Sequence, residues 1–185
     1  MKKLTHLLTP KNPLLIIALT YLVLFLCSCD SDDTPSISGL DDVGFDINVS
    51  GSVSRNMQGT NATYKFLQMP SSFVTSHQLA IYLIDGDGYT ATATILLNGT
   101  STPKTGTYAI NNILTSSLKE NDGSLLFGQN GSISHSSAAA NGGSITITET
   151  GSNFIKGTID GGLKATATGS GSISMKGAFY AKSGE

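Results

Sequence analysis

Asp85, Asp87 and Gly88 stand in the run DGDG, where carboxylates two residues apart can reach one cation, as at the start of a calcium-binding loop. The third oxygen position of such a loop falls on Tyr89 and the closing carboxylate position on Leu96, so the run reads instead as a hairpin turn. His77 and His135 both lie among serines, and no G-x-S-x-G elbow surrounds any serine. Members of a Ser-His-Asp triad need only meet in space, so catalysis would require one of these rings beside a serine or carboxylate in a cleft. The reading from the residues is that both histidines are solvated loop residues, too few to hold a metal, that no cofactor is bound and that the chain is not an enzyme. Tyr82 and Tyr180 point away from the main apolar series of their strands, which makes them candidate surface aromatics for stacking on a sugar or a partner.

Lys104, Thr105 and Gly106 spell K-T-G, while Ser101 with Lys104 and Ser116 with Lys119 fit S-x-x-K, both motifs of penicillin-recognising enzymes. Those enzymes open a helix with S-x-x-K and place S-D-N before K-T-G, an order missing here, and a serine-rich chain makes such matches by chance. The one strong chemical signal lies at the N-terminus. Lys2, Lys3 and Lys11 precede a charge-free apolar run at residues 13–26, which has the length of a signal core and falls short of the roughly 20 residues that span a bilayer. Leu26, Cys27, Ser28 and Cys29 then resemble the bacterial lipobox. The resemblance implies cleavage before Cys29, acylation of its sulfur and amino group, and loss of Cys27 with the signal. Two or more acyl chains suffice for lasting membrane attachment without a transmembrane helix.

Removing residues 1–28 of 185 leaves 157, enough for one domain with a substantial core. The three lysines leave and all thirteen acids stay, so the formal charge moves from −2 to −5. Arg55 is the lone arginine. Such a surface is a poor match for nucleic acid, which calls for a basic face. With Cys29 acylated the domain has no thiol, so packing and a closed sheet must do what disulfides do in many exported domains. Residues 30–42 are acidic, broken by Pro35, and read as a tether that reaches roughly 40 Å when extended. Asp30, Asp32 and Asp33 resemble the acidic export tag of surface-exposed lipoproteins of the Bacteroidota. In enteric bacteria an Asp after the lipidated Cys instead favours the inner membrane, and a plain solvated linker is the third reading.

From residue 43 the apolar period becomes two. Val43, Phe45, Ile47, Val49 and Val53 form one inward series, Tyr64 and Phe66 a second with a bulge expected at Leu67, and residues 79–84 are apolar on both faces. Residues 89–97 alternate again after the 85–88 turn, a short strand is expected near residues 107–110, and residues 111–121 hold the one stretch with helical character. Leu125 and Phe127 open the next strand. Inward series then recur at Ile145 and Ile147, at Ile155, Gly157 and Ile159, at Leu163, Ala165 and Ala167, and at Ile173, Met175, Gly177, Phe179 and Ala181. Turns are expected at 141–143, 150–152, 160–162 and 168–171, the spacing of sandwiches and barrels.

The segments LAIYLIDGDGYTATATILL, TGTYAI, GSITITETGSNFIKGTIDGGLKATA and SISMKGAFYAK resemble a family of small β-rich Bacteroidota lipoproteins of uncharacterised function. Signal peptide 1–28, lipidated tether 29–42 and a single all-β domain 43–185 are therefore expected. The domain should be an antiparallel β-sandwich or flattened β-barrel of about nine or ten strands. The expected role is that of a non-enzymatic binding or structural module in the cell envelope, held at the outer membrane by acyl chains on Cys29, with an envelope protein or a glycan as partner. The alternative is a lipocalin-like carrier of a small apolar ligand, suggested by the small inward residues Ala91, Ala93, Ala165, Ala167 and Gly177.

Overall fold

The structure is a computed structural model that describes residues 40–68, 76–98, 103–111, 121–137 and 142–184. The lipobox, the acidic cluster at residues 30–33, Ser101, Ser116, Lys119 and most of the stretch with helical character lie outside the described residues. Among the described residues the domain is all-β and holds eleven strands. In chain order they are β1 Gly44–Gly51, β2 Arg55–Gly59, β3 Asn61–Gln68, β4 Ser76–Ile84, β5 Tyr89–Asn98 and β6 Gly106–Ala109. They continue with β7 Gly123–Gln129, β8 Ser132–Ser137, β9 Gly143–Thr150, β10 Phe154–Ala165 and β11 Ser172–Ser183.

Hydrogen bonding joins them in the order β2-β1-β11-β3-β4-β5-β7-β8-β10-β9-β6, and a further pairing of β10 with β11 closes the circuit. Ladder lengths divide this sheet into two sandwich-like halves. One is β2-β1-β11-β10-β9-β6, built on the eight-pair β1–β11 and eleven-pair β10–β11 ladders. The other is β3-β4-β5-β7-β8, with eight pairs between β3 and β4 and nine between β4 and β5. Two short corner ladders connect the halves. β11 pairs in parallel with β3 at Lys182–Thr63 and Ser183–Tyr64, and β10 pairs with β8 through Leu163, Lys164 and Ala165. The chain itself changes halves at Thr60, between β2 and β3, as strands do at sandwich corners.

The alternating residues explain the packing. Ile47 and Val49 of β1, Leu79, Ile81 and Leu83 of β4, Ile155 and Ile159 of β10 and Met175 and Phe179 of β11 all enter one buried cluster. Burial of each such side chain contributes about 1.5–3 kcal/mol. Two inward glycines make room for it. A Cβ on Gly177 would lie 2.0 Å from the Asp46 carbonyl oxygen, and one on Gly157 would lie 2.7 Å from Cζ of Phe179. At both positions the backbone of the neighbouring strand, with Ile47 or Phe179 beside it, takes the space that a side chain would need.

Several details differ from the periodicity. β2 and β8 were absent from the expected strands because each carries few large apolar residues, which raises the count from nine or ten to eleven. The turn expected at residues 160–162 does not form: β10 runs straight through Asp160, Gly161 and Gly162 while exchanging one partner for another, β9 up to Gly161 and β8 from Leu163. The β3–β4 register is regular across Leu67, and the irregularities fall at Lys156/Gly157 and Phe127/Gly128 instead. Ala165 is half-buried and Ala167 exposed, so that series ends at Leu163.

Candidate functional site

The DGDG run is the hairpin turn between β4 and β5, and it does hold a cation: the guanidinium of Arg55. Asp85 folds back on its own turn, its Oδ1 accepting from the backbone N–H of Asp87 at 3.0 Å and of Tyr89 at 2.8 Å. Its Oδ2 lies 2.7 Å from Arg55 Nη2, and Asp87 Oδ2 lies 3.0 Å from the same nitrogen. The guanidinium carbon sits 3.6 Å from the centroid of the Tyr89 ring. Burial alone lowers the arginine pKa, but the hydrogen bond to Asp87, the charge of Asp85 and the contact with Tyr89 together hold it above its usual value. A calcium ion would have to displace a side chain that already satisfies both carboxylates. Among the described residues no group of three or more His, Cys, Asp or Glu is placed to hold a metal ion.

From Arg55 a column of rings crosses the same end of the domain. Tyr89 stacks on Phe127 at 5.8 Å, and Phe127 meets the edge of His135 at 6.0 Å. His135 is neither solvated nor in a loop: it lies on β8, where it is 1% exposed. The two-residue Asn130–Gly131 turn, with φ of 50° and 80°, carries the chain back from β7 to form that strand. Ring Nε2 lies 3.2 Å from the Ser170 carbonyl oxygen, which can only accept, so Nε2 carries the proton. Nδ1 lies 2.9 Å from Ser134 Oγ, which also lies 3.4 Å from the Phe127 carbonyl oxygen. Ser52 Oγ is 3.3 Å from Nε2, but a serine nucleophile needs a bare nitrogen there, and this one already bears hydrogen. The ring therefore pins the 166–171 turn and the β1–β2 turn to β8. His77 is also on a strand, half-buried on β4 opposite Gln68 and Leu97.

The outward faces carry the aromatic candidates. Tyr180 of β11 and Tyr82 of β4 both face away from the core, as expected, and both are half-buried. Tyr82 stands between Thr63 and Thr92 on the five-strand half. Tyr180 lies on the six-strand half, its centroid 5.3 Å from that of Phe154, with Lys156 Nζ 4.7 Å from its own ring centroid. Glu149 holds that ammonium at 3.0 Å. The rest of this face is polar and partly charged: Asp46, Asn48 and Ser50 on β1, Ser172, Ser174 and Lys176 on β11, Thr158 and Asp160 on β10 and Thr146 on β9, with Lys176 Nζ 3.8 Å from Asp160 Oδ2. About 26 Å along β10 from Phe154, at roughly 3.3 Å per residue, the face dips into an open groove of about 540 Å³. Gly161 and Gly162 help line the groove, beside Asp160, Ser50 and Ser174.

Sequence reasoning placed Tyr82 and Tyr180 on outward faces and the aspartates in a turn, but missed the partners of Arg55, the Phe154 and Lys156 contacts and the serines around His135. Signals for two of these existed, in the single arginine of the chain and in the Asn-Gly dipeptide that turns β7 into β8. Lys104 is exposed, and its carbonyl accepts the Tyr108 hydroxyl at 2.6 Å, a structural use of the K-T-G segment. Among the described residues no helix is long and apolar enough to cross a membrane. Comparisons with known protein families, with curated proteins and with solved structures return no match.

Proposed function

We propose that this chain is a lipid-anchored cell-envelope protein of the outer membrane that serves as a non-enzymatic binding module, contacting its partner through the outward face of the six-strand half around Tyr180. The observation that carries this reading is the Phe154–Tyr180 pair with Lys156 beside it, an aromatic and cationic spot on a polar face of hydroxyl, amide and charged side chains. Such a spot suits the apolar face of a sugar ring or an aromatic side chain of an envelope protein. The carrier alternative draws less support. Of the small residues that suggested a cavity, Gly177 has its space taken by Asp46 and Ile47, Ala165 is half-buried and Ala167 is exposed.

The mature domain, immobilised and exposed to envelope extract and to cell-wall glycan fragments, is expected to retain a partner that Tyr180→Ala loses and Tyr82→Ala keeps. Equal retention by all three would move the contact elsewhere. Cys29→Ala is expected to abolish fatty-acid labelling and membrane attachment, and a labelled, membrane-bound variant would overturn the lipid anchor. Protease shaving of intact cells separates surface display from a periplasm-facing position.

A further inference from the structure

The two corners that close the circuit are built to different strengths. At the β10–β8 corner three register pairs are reinforced by the N–H of Thr166 bonding to the Ser134 carbonyl at 2.8 Å. The hydroxyls of Thr166 and Thr168 both bond to the Ile133 carbonyl, at 2.8 and 2.6 Å, and buried His135 ties in the Ser170 carbonyl. Among the described residues the β11–β3 corner has two register pairs, one bond from the Gly184 N–H to the Tyr64 carbonyl at 2.8 Å, and the Lys65 side chain packed against Gly184. The neighbouring N–H, that of Ser183, points the other way and bonds to the Asn153 carbonyl at 2.9 Å, within the half of the sheet to which β11 belongs. Directly beneath the seam lie Ala181, which is 0% exposed, and the ring of Tyr64.

We propose that residues 182–184 are a strap, and that the domain opens at the β11–β3 corner while both halves of the sheet stay folded. The reason is local. Parting this corner gives up a short parallel ladder, whereas β11 stays bonded to β1 and β10 through long antiparallel ones, and regions of low local stability open without global unfolding. The Arg55 clasp and the covalent crossing at Thr60 hold the halves together elsewhere along that side, so the strap works as the free lip of a hinge. Opening would admit solvent or a small apolar molecule to the interior beside Ala181 and Tyr64.

The test uses thiol labelling of the full-length lipidated protein in detergent, with the parent as blank, on three variants: Ala181→Cys under the strap, Ser137→Cys at the opposite corner and Ala93→Cys in the middle of β5. With a neutral maleimide under native conditions, Ala181→Cys is expected to react at least about tenfold faster than either of the others. Equal rates would mean that the corner opens only when everything unfolds, and the strap would be refuted. Amide exchange on the parent protein gives the same decision without substitution. Fast exchange at Gly184 with protection kept at Ser183 supports opening at the seam; fast exchange at both shows mere fraying of the chain end, and protection at both shows no opening, and either overturns the proposal.

Discussion

Replacing Asp85 by alanine removes three interactions at once: the 2.7 Å contact with Arg55 and the two backbone N–H bonds that fold the 85–88 turn. Breaking a buried ion pair by deleting one partner costs about 3–5 kcal/mol, because the remaining charge stays desolvated. Two features pull the value toward the low end. The Arg55 side chain is 20% exposed, and Asp87 remains 3.0 Å from its Nη2. The expected loss is therefore about 3 kcal/mol, which in a domain of this size lowers Tm by roughly 6–12 °C. Asp85→Asn separates the contributions, since its side-chain oxygen can still accept from the turn while the charge is gone; about half the loss should remain. Urea and thermal unfolding of the mature domain measure both, and Arg55→Met made alone and with Asp85→Asn gives the coupling. A loss for Asp85→Ala within about 0.5 kcal/mol of the parent, the range of ordinary surface substitutions, would refute the clasp as a stabilising device.

Gly177→Ala places a methyl 2.0 Å from the Asp46 carbonyl oxygen, where backbone must move, so a loss of about 3 kcal/mol or failure to fold is expected, measured by urea unfolding. Gly86→Ala, whose added carbon meets nothing within 4 Å, is the control and should be near neutral. Tyr108 makes stability depend on alkaline pH. Burial raises its pKa above the usual 10.0. The folded state therefore favours the neutral phenol: its contribution is complete below the unfolded value and falls away as pH rises through the higher folded one. Stability should decline above pH about 10, and Tyr108→Phe should flatten the decline while losing about 1 kcal/mol near neutrality; an unchanged alkaline limb would count against this role. His135→Ala should cost about 3 kcal/mol by opening a cavity and freeing the Ser170 carbonyl, and ordinary stability in that variant would contradict the pinning role.

Local pattern carries far in this chain. Alternation of side chains is a property of each strand by itself, so Ile47, Leu79, Ile95, Ile145, Ile155 and Phe179 could be assigned inward faces, and Tyr82 and Tyr180 outward ones, without knowledge of any partner. The DGDG hairpin was legible for the same reason, because a turn is settled within four residues. Strands poor in apolar residues, β2 and β8, gave too little amplitude to be seen.

What sequence alone determined, then, is the β class, most of the inward faces and most of the turns, with Phe66 and Ala167 the exposed exceptions. Tertiary structure decided which distant groups meet. Arg55 finds Asp85 across 30 positions and Ser52 finds His135 across 83. Nothing local marks such pairs. They follow from strand order and register, since a shift of one residue would turn Arg55 on β2 and His135 on β8 to the opposite face. The same register gives one corner of the sheet three pairs and the other, among the described residues, two pairs and the Gly184 bond.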